Sequence, residues 1–564
     1  MRKVRKHLKK WFAPNFSGEI TPDEIFLDAS NLPGFDVDQF EGRLEKPISQ
    51  KAINFVFLAF VLLGLAFSYR LWFLQVTEGK VYLERGESNR LRYNHIFSNR
   101  GVIYDRQNKE LAFNVFLSEE SDFAKRQYTS SLGLSHVLGY VKYPTKDRAG
   151  FYWETSYVGK SGVEGFYSDI LTGENGLEIV ETDALDNIQT QNIVRPPKEG
   201  ENLYLALDSS LQSQFWKIIA DAAIQFNYEG GAGAMIDVET GEILSLVSFP
   251  EYNSEILSDG KDAQKIEEYQ KDPRKPFLNR VVSGLYSPGS IVKPFLAAAA
   301  LNEGLIDPSK KILSTGSLSV PNPYFPGQFS IFNDWKAHGW VNMFDALAVS
   351  SNVYFYQIGG GFEDQKGLGI TKIESYLRNF GFGEMTGIDL PGEVGGVIPN
   401  PEWKRKKFQG DDWRLGDTYN TSIGQYGFQV TPIQVLKSVA VLANGGRLLE
   451  PTLLNGGKSQ EPKLVNINPE ALRVAREGMR EAVKRGTARG LSVPYLEVAA
   501  KTGTAEIGKS LVNSWVVGFF PFEKPRYAFV VVMERGPRAN TIGGVYVMRQ
   551  LLDWMSTNTP EYFK

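Results

Sequence analysis

YSPGSIVKPF, residues 286–295, is the stretch on which the fold is decided. Ser290 and Lys293 stand three apart, and Pro288-Gly289 marks a helix start close to Ser290. On a helix, residues three apart share a face, so the lysine amine reaches the serine hydroxyl. An amine that is partly desolvated loses its proton near working pH and can take the serine's. The positive dipole at a helix N-terminus also favours negative charge developing on the serine oxygen. By itself the pair is weak, since a chain of 564 residues holds about two such pairs by chance. Ser258 and Lys261 form one; they sit in the charged run SDGKDAQKIEEYQKDPRK and read as solvated surface.

Two further elements lie downstream. Ser350-Ser351-Asn352 interrupts the apolar segment ALAVSSNVYFYQIG. Buried polar side chains need partners. Here a Ser hydroxyl can relay a proton and an Asn amide can bind a substrate amide, or the group can simply cap a helix. Ser556-Thr557-Asn558 repeats the spacing and shows how cheap the pattern is. Lys501-Thr502-Gly503-Thr504 follows the apolar LEVAA. On an edge strand, Gly503 would let a peptide-like substrate approach the backbone. Lys501 and the two Thr hydroxyls can then hold a carboxylate, and backbone N–H groups can form an oxyanion hole. The alternative is a plain turn after a strand.

Composition narrows the field. Hydrophobic residues make up 42% and charged residues 23%, as in a globular protein rather than a disordered one. The formal net charge of −3 gives no support for nucleic-acid binding. With no Cys, disulfides, Cys-ligated zinc, Fe–S clusters and thiol catalysis are excluded.

The N-terminal region is built differently. The first ten residues carry six Lys or Arg, and an acidic stretch follows, so residues 1–50 read as a cytoplasmic tail. Residues 51–76 read as a transmembrane anchor. AINFVFLAFVLLGLAF (52–67) carries no charge, and the apolar character resumes after Arg70. A 25-residue helix over 52–76 exceeds the roughly 30 Å of a hydrocarbon core. Arg70 can snorkel, and Tyr69 and Trp72 suit the interface. The positive start predicts an N-terminus in the cytoplasm and an exported remainder. A cleaved signal peptide is the other reading, with Ala66 and Ser68 as its small-x-small pair.

Residues 77–204 read as a β-rich domain and 205–564 as a large α/β (α+β) domain. ENLYLALD (201–208) predicts a strand, and a helix follows from Ser209. GAGAMIDVETGEILSLVSF (231–249) predicts a hairpin turning at Glu239-Thr240-Gly241-Glu242. The segment at 346–359 and TPIQVLKSVAVLANGG read as buried helices, and NSWVVGFFPF and YAFVVVMERG as core strands.

Ser350 lies 60 residues after Ser290, and Lys501 lies 151 after Ser350. In this order the three elements resemble the SxxK, SxN and KTG signature of penicillin-binding proteins and serine β-lactamases. Arg100-Gly101-Val102-Ile103-Tyr104-Asp105-Arg106 with Leu111-Ala112 resembles a motif just outside the anchor of class B penicillin-binding proteins. Gly159-Lys160-Ser161-Gly162-Val163-Glu164 with Tyr167 is similar to their pedestal segment. His338-Gly339, SSNVYFYQIG and GDTYNTSIGQYGFQVTPIQ (416–434) resemble the elongation branch of that class, penicillin-binding protein 2.

The resemblance implies a penicillin-binding/serine β-lactamase-like transpeptidase domain on a dimerisation-like pedestal. It implies a D,D-transpeptidase that cross-links peptidoglycan stem peptides in cell-wall elongation and shape maintenance. Ser290 would attack the penultimate D-Ala carbonyl, Lys293 would be the general base, and Ser350 would pass the proton to the leaving amine. Asn352 would position the donor peptide. Lys501, Thr502, Gly503 and Thr504 would line the carboxylate subsite, with the Ser290 and Thr504 N–H groups as oxyanion donors. No metal or organic cofactor is implied. The implied partners are stem peptides and lipid-linked glycan strands, β-lactams as covalent inhibitors, the membrane, a RodA-like SEDS-family polymerase and elongation-complex proteins. The alternatives are a division-specific class B enzyme, or a D,D-carboxypeptidase or β-lactam sensor of the same superfamily. Three departures stand out: a short segment between Ala112 and Gly139, a long tail, and Gly424-Gln425-Tyr426-Gly427 where the family has GQG.

Overall fold

The computed structural model describes residues 49–80, 91–118, 121–148, 150–182, 188–322, 325–457 and 461–563. The expected tail lies outside them, save for its last two residues. The chain divides into two units, one ending at Arg90 and one running from Leu91 to the C-terminus.

In the first unit, Ser49 caps helix α1 (Gln50–Trp72), its Oγ accepting the Ala52 N–H at 3.3 Å. The helix continues as a wider turn over Phe73–Thr77. The apolar stretch Lys51–Thr77 has 27 residues, about 40 Å at 1.5 Å each, and none of its apolar window is buried in the protein. By length and composition it is long and apolar enough to cross a membrane.

The second unit opens with two small sheets. β1 (Leu91–Ile96) joins β5 (Gly176–Thr182) and β6 (Ile188–Arg195) in an antiparallel sheet with β5 central. β2 (Ile103–Tyr104), β3 (Glu110–Val115), β4 (Lys125–Tyr128) and β7 (Leu203–Tyr204) form the other, in the order β7-β2-β3-β4. β3 and β4 pair from Ala112↔Tyr128 to Val115↔Lys125, so the short segment noted in the sequence closes as a hairpin. Two buried arginines flank one carboxylate here. Glu164 accepts from Arg100 Nε at 2.5 Å and from Arg126 Nε at 2.7 Å, and all three side chains are fully buried. Burial raises the Glu164 carboxyl, but Arg126 and Arg100 outweigh it and hold it below its usual range.

The RGVIYDR motif ties the small sheets to the large domain. Asp105 accepts the Ser209 hydroxyl at 2.7 Å, and Arg106 donates to the Tyr562 hydroxyl at 3.2 Å. The strand expected over 201–208 is shorter than predicted. After Tyr204 the chain leaves the sheet, and the Ala206 N–H donates to the Leu453 carbonyl at 2.7 Å. Ser258 corrects another expectation. It is buried and accepts the Val141 N–H at 3.3 Å, because its short helix packs against the small sheets, whereas Lys261 is exposed.

Asp208 caps α2 (Ser209–Gln225), accepting from Ser210 and Leu211. The large sheet is antiparallel. It begins with β8 (Gly230–Asp237) and β9 (Ile243–Phe249). Four short strands come next in the chain and stay outside it: β10 (Ile312–Ser314), β11 (Ser317–Pro321), β12 (Phe329–Asn333) and β13 (Gly339–Val341). β14 (Ala499–Ile507), β15 (Leu511–Phe520) and β16 (Tyr527–Pro537) complete the large sheet, in the order β9-β8-β16-β15-β14. The predicted hairpin is β8–β9, with Gly231 opposite Phe249. Strand alternation separates two cores. Ala232, Ala234, Ile236, Val530 and Val532 enter the cluster that holds Phe295 and Val439. Met235, Val531 and Met533 face the other way, onto Phe215 of α2 and Leu551 of the C-terminal helix. β14 is an edge strand of this sheet, and the site is built against it.

Candidate active site

Ser290 sits in a 3-10 turn, Gly289–Val292, that runs into α3 (Lys293–Asn302). The expected helix start is there, with the α-helix proper beginning at Lys293. Pro294 fits this first turn because its missing N–H needs no intrahelical partner there. Residues Lys293 to Ala300 are all buried, while Ser290 is half-buried. Four consecutive alanines, Ala297–Ala300, let α3 pack closely inside the core.

β10 pairs with β13, and β11 with β12. These hairpins lead into α4 (Met343–Val349) and α5 (Asn352–Gly360). Between the helices, Ser350 adopts a left-handed conformation at φ 59° and ψ 41°, uncommon for a side chain other than Gly, Asn or Asp. Ser351 then caps α5, accepting the Tyr354 N–H at 3.4 Å. The helix-cap reading therefore holds for Ser351, while the break turns Ser350 and Asn352 towards Lys293.

Lys293 Nζ donates to the Ser350 carbonyl at 2.8 Å and to Asn352 Oδ1 at 2.7 Å, with Ser350 Oγ at 3.4 Å. Lys501 Nζ donates to the same Ser350 Oγ at 2.8 Å and to the Thr502 carbonyl at 2.9 Å. One hydroxyl thus lies between two amines. Burial pushes the Lys293 amine down to about 7, against the opposing pull of Asp334. Burial, and then the neighbouring Lys293 charge, push Lys501 well below the ordinary lysine value.

β14 is placed as the sequence predicts, on an edge. Lys501, Gly503 and Ala505 are buried, whereas Thr502 is half-buried and Thr504 exposed. A Cβ on Gly503 would lie 2.9 Å from the Pro288 carbonyl and from Ile291 Cγ2, so the bare backbone lets the strand lie against the Ser290 turn. Trp515, opposite Gly503 on β15, donates its indole N–H to the Ser287 carbonyl at 3.1 Å. The structure thus brings Ser290, Lys293, Ser350, Asn352 and the 501–504 segment to one place.

The sequence reading missed two members of this neighbourhood. Thr487 accepts the Thr502 hydroxyl at 2.6 Å, and its own N–H donates to the Ala348 carbonyl at 3.1 Å. Asp334, at the end of β12, accepts from Ser351 Oγ at 2.8 Å and from the Val353 N–H at 3.0 Å. Its only sequence signal is its place just ahead of His338-Gly339. Tyr426, the odd residue of the GQYG segment, has a left-handed backbone at φ 63°. Its ring packs with Trp413 at 5.7 Å and Trp403 at 5.9 Å between centroids.

With this geometry in place, similarity to known proteins assigns the family. Residues 231–550 match the penicillin binding protein transpeptidase domain. The chain belongs to the penicillin-binding protein transpeptidase family. Residues 121–205 also match the penicillin-binding protein dimerisation domain, which gives a class B transpeptidase its pedestal. The chain is 35% identical to the peptidoglycan D,D-transpeptidase MrdA of Acinetobacter baumannii over 73% of its length and 63% of the relative's. It therefore spans less than two thirds of that relative. It is 32% identical to MrdA of Escherichia coli K12, covering 77% of this chain and 72% of that one. The fold of this family member superposes on penicillin-binding protein 2 of Helicobacter pylori, solved in complex with MreC, with a TM-score of 0.69. That match has 29% identity over 84% of this chain and 99% of that one.

Proposed function

We propose that this penicillin-binding transpeptidase is a peptidoglycan D,D-transpeptidase of wall elongation, with 77–204 as pedestal and 205–564 as catalytic domain. The observation that carries the reading is the Ser350 hydroxyl held between Lys501 and Lys293, the lysine one turn beyond Ser290.

The neutral Lys293 amine takes the proton of Ser290 Oγ, which attacks the penultimate D-Ala carbonyl. The tetrahedral oxyanion is held by the N–H groups of Ser290 and Thr504. As the C–N bond breaks, the proton passes from Lys293 through Ser350 Oγ to the leaving amine, and free D-Ala departs. An amine from a neighbouring stem then displaces Ser290 from the acyl carbon, forms the cross-link and returns the proton by the same route. Lys501 and the hydroxyls of Thr502 and Thr504 hold the donor's terminal carboxylate, with Gly503 letting β14 lie against the Ser290 turn. Asn352 orients the donor amide.

The six basic residues at the start support an N-terminus in the cytoplasm, with α1 crossing the inner membrane and the catalytic domain on the outer face. The similarity to a protein solved with MreC supports work among elongation-complex proteins; the polymerase working beside it would be a RodA-like SEDS-family enzyme.

The test is the intact mass of the full chain in detergent, before and after incubation with a penicillin. One persistent adduct is expected, absent from Ser290→Ala. Folded protein without an adduct would overturn the reading.

A further inference from the structure

The end of β12 holds a carboxylate with no part in the acyl transfer itself. Asp334 is anchored on both oxygens. Oδ2 accepts from Ser351 Oγ at 2.8 Å, from the Val353 N–H at 3.0 Å and from Ser314 Oγ at 3.2 Å. Oδ1 accepts the Trp335 N–H at 2.9 Å. The side chain has no exposed surface. Burying a carboxylate this completely is costly unless its lone pairs are satisfied and a positive charge is near. Its donors come from three elements: β10, the connection after β12, and the start of α5. That start is the turn carrying Ser350 and Asn352.

We propose that Asp334 is a positioning residue for acylation: it fixes the Ser350–Asn352 turn and supplies the negative charge facing Lys293. The inference rests on the proposed transpeptidase function of this site. Three charged or titratable groups bear on Lys293. Asp334 attracts its ammonium from the end of β12, and Lys501 on β14, itself held well below the ordinary lysine value by burial, bonds the same Ser350 hydroxyl. His338 stands 3.6 Å from Asp334 Oδ1, its imidazole held below its usual range by burial, so it adds little charge near neutral pH. Burial raises the Asp334 carboxyl, but the Asn352 and Val353 N–H groups and Lys293 outweigh it, and the group stays ionised. Without Asp334 the ammonium form of Lys293 loses its attractive partner, and the turn loses the acceptor holding Ser351 and Val353.

The test is the pH profile of acylation by a fluorescent penicillin, with the full chain in detergent and melting temperatures recorded alongside. In Asp334→Asn the rate should fall about 10²-fold, as expected for a misplaced catalytic group. Its acid limb should move to lower pH, because Lys293 loses its proton more easily. Asp334→Glu keeps the charge but misplaces it, so its rate should fall while the limb stays. Ser351→Ala removes one tie and leaves the carboxylate, so a loss of several-fold with an unmoved limb is expected. An unmoved limb in Asp334→Asn overturns the proposal. If that variant does not fold, a shifted limb in Asp334→Glu or an unaltered rate in Ser351→Ala overturns it instead. Absence of any adduct in the unaltered protein would overturn this inference together with the transpeptidase reading. An adduct with the wrong profile overturns this inference alone.

Discussion

The Gly289 N–H donates to the Gly424 carbonyl at 3.0 Å, joining the turn before Ser290 to the GQYG segment. The two backbones lie so close that a Cβ on Gly424 would sit 2.1 Å from the Gly289 carbonyl oxygen. Gly424 also has φ +76°, where an L side chain is strained. Gly424→Ala should therefore push the Ser290 turn out of place rather than unfold the domain. The expected result is an acylation rate lower by about 10²-fold with the circular dichroism spectrum retained. An alanine variant that acylates at the normal rate would show that the contact does not position Ser290.

A lysine serving as base must be neutral, and burial sets the Lys293 amine at about 7. The acylation rate should thus rise with pH through about 7 and level off above it, whereas an ordinary lysine would place the limb above about pH 10. The same shift has a stability consequence. The unfolded chain keeps this proton up to about pH 10, so between about 7 and 10 the unfolded state binds more protons. Stability from this group therefore rises with pH across that window and is least below it. Lys293→Met should remove both the rate limb and that part of the stability slope.

Glu164 is the one carboxylate shared by two arginines that have no access to water. Glu164→Gln keeps the volume and removes the charge, leaving Arg100 and Arg126 buried together without a counter-ion. Breaking such a pair costs about 3–5 kcal/mol, far more than the loss of an exposed salt bridge. The variant should show an earlier thermal transition and faster proteolysis within 91–204. Melting at the unaltered temperature would mean that water reaches the arginines.

Much of this was legible in the sequence because it is local. The spacing of Ser290 and Lys293 needs only a helical period, and the β8–β9 hairpin needs only alternation around a Gly-containing turn. The KTGT segment was readable as an edge strand because Gly503 makes sense only where another backbone comes close. The relatives and the fold bear out the class B transpeptidase reading. What escaped was non-local. Asp334 acts on a turn that is 17 residues from it at Ser351, and nothing in its flanking sequence marks it as buried. Ser258 looked solvated because its neighbours are charged, yet its helix meets a strand 117 residues earlier in the chain. Ser350 could be read as a cap or as a catalytic hydroxyl. Only the left-handed backbone at that residue shows how Ser351 caps the helix while Ser350 faces the lysines.

The hydroxyl pair of Thr502 and Thr487 offers a last test, because it separates binding from chemistry. Thr502 Oγ1 donates to Thr487 Oγ1 at 2.6 Å, which fixes the threonine proposed above to line the carboxylate subsite. Valine matches threonine in shape but has no acceptor, so in Thr487→Val the Thr502 hydroxyl turns freely. Losing one neutral hydrogen bond amounts to about 0.5–1.5 kcal/mol, or a factor of roughly 2–10. That loss should fall on the initial binding of penicillin, measured as a higher half-saturating concentration. The limiting acylation rate should hardly change, because Ser290, Lys293 and Ser350 keep their places. A lower limiting rate with unchanged binding would place Thr487 behind the reacting serine instead of behind the subsite.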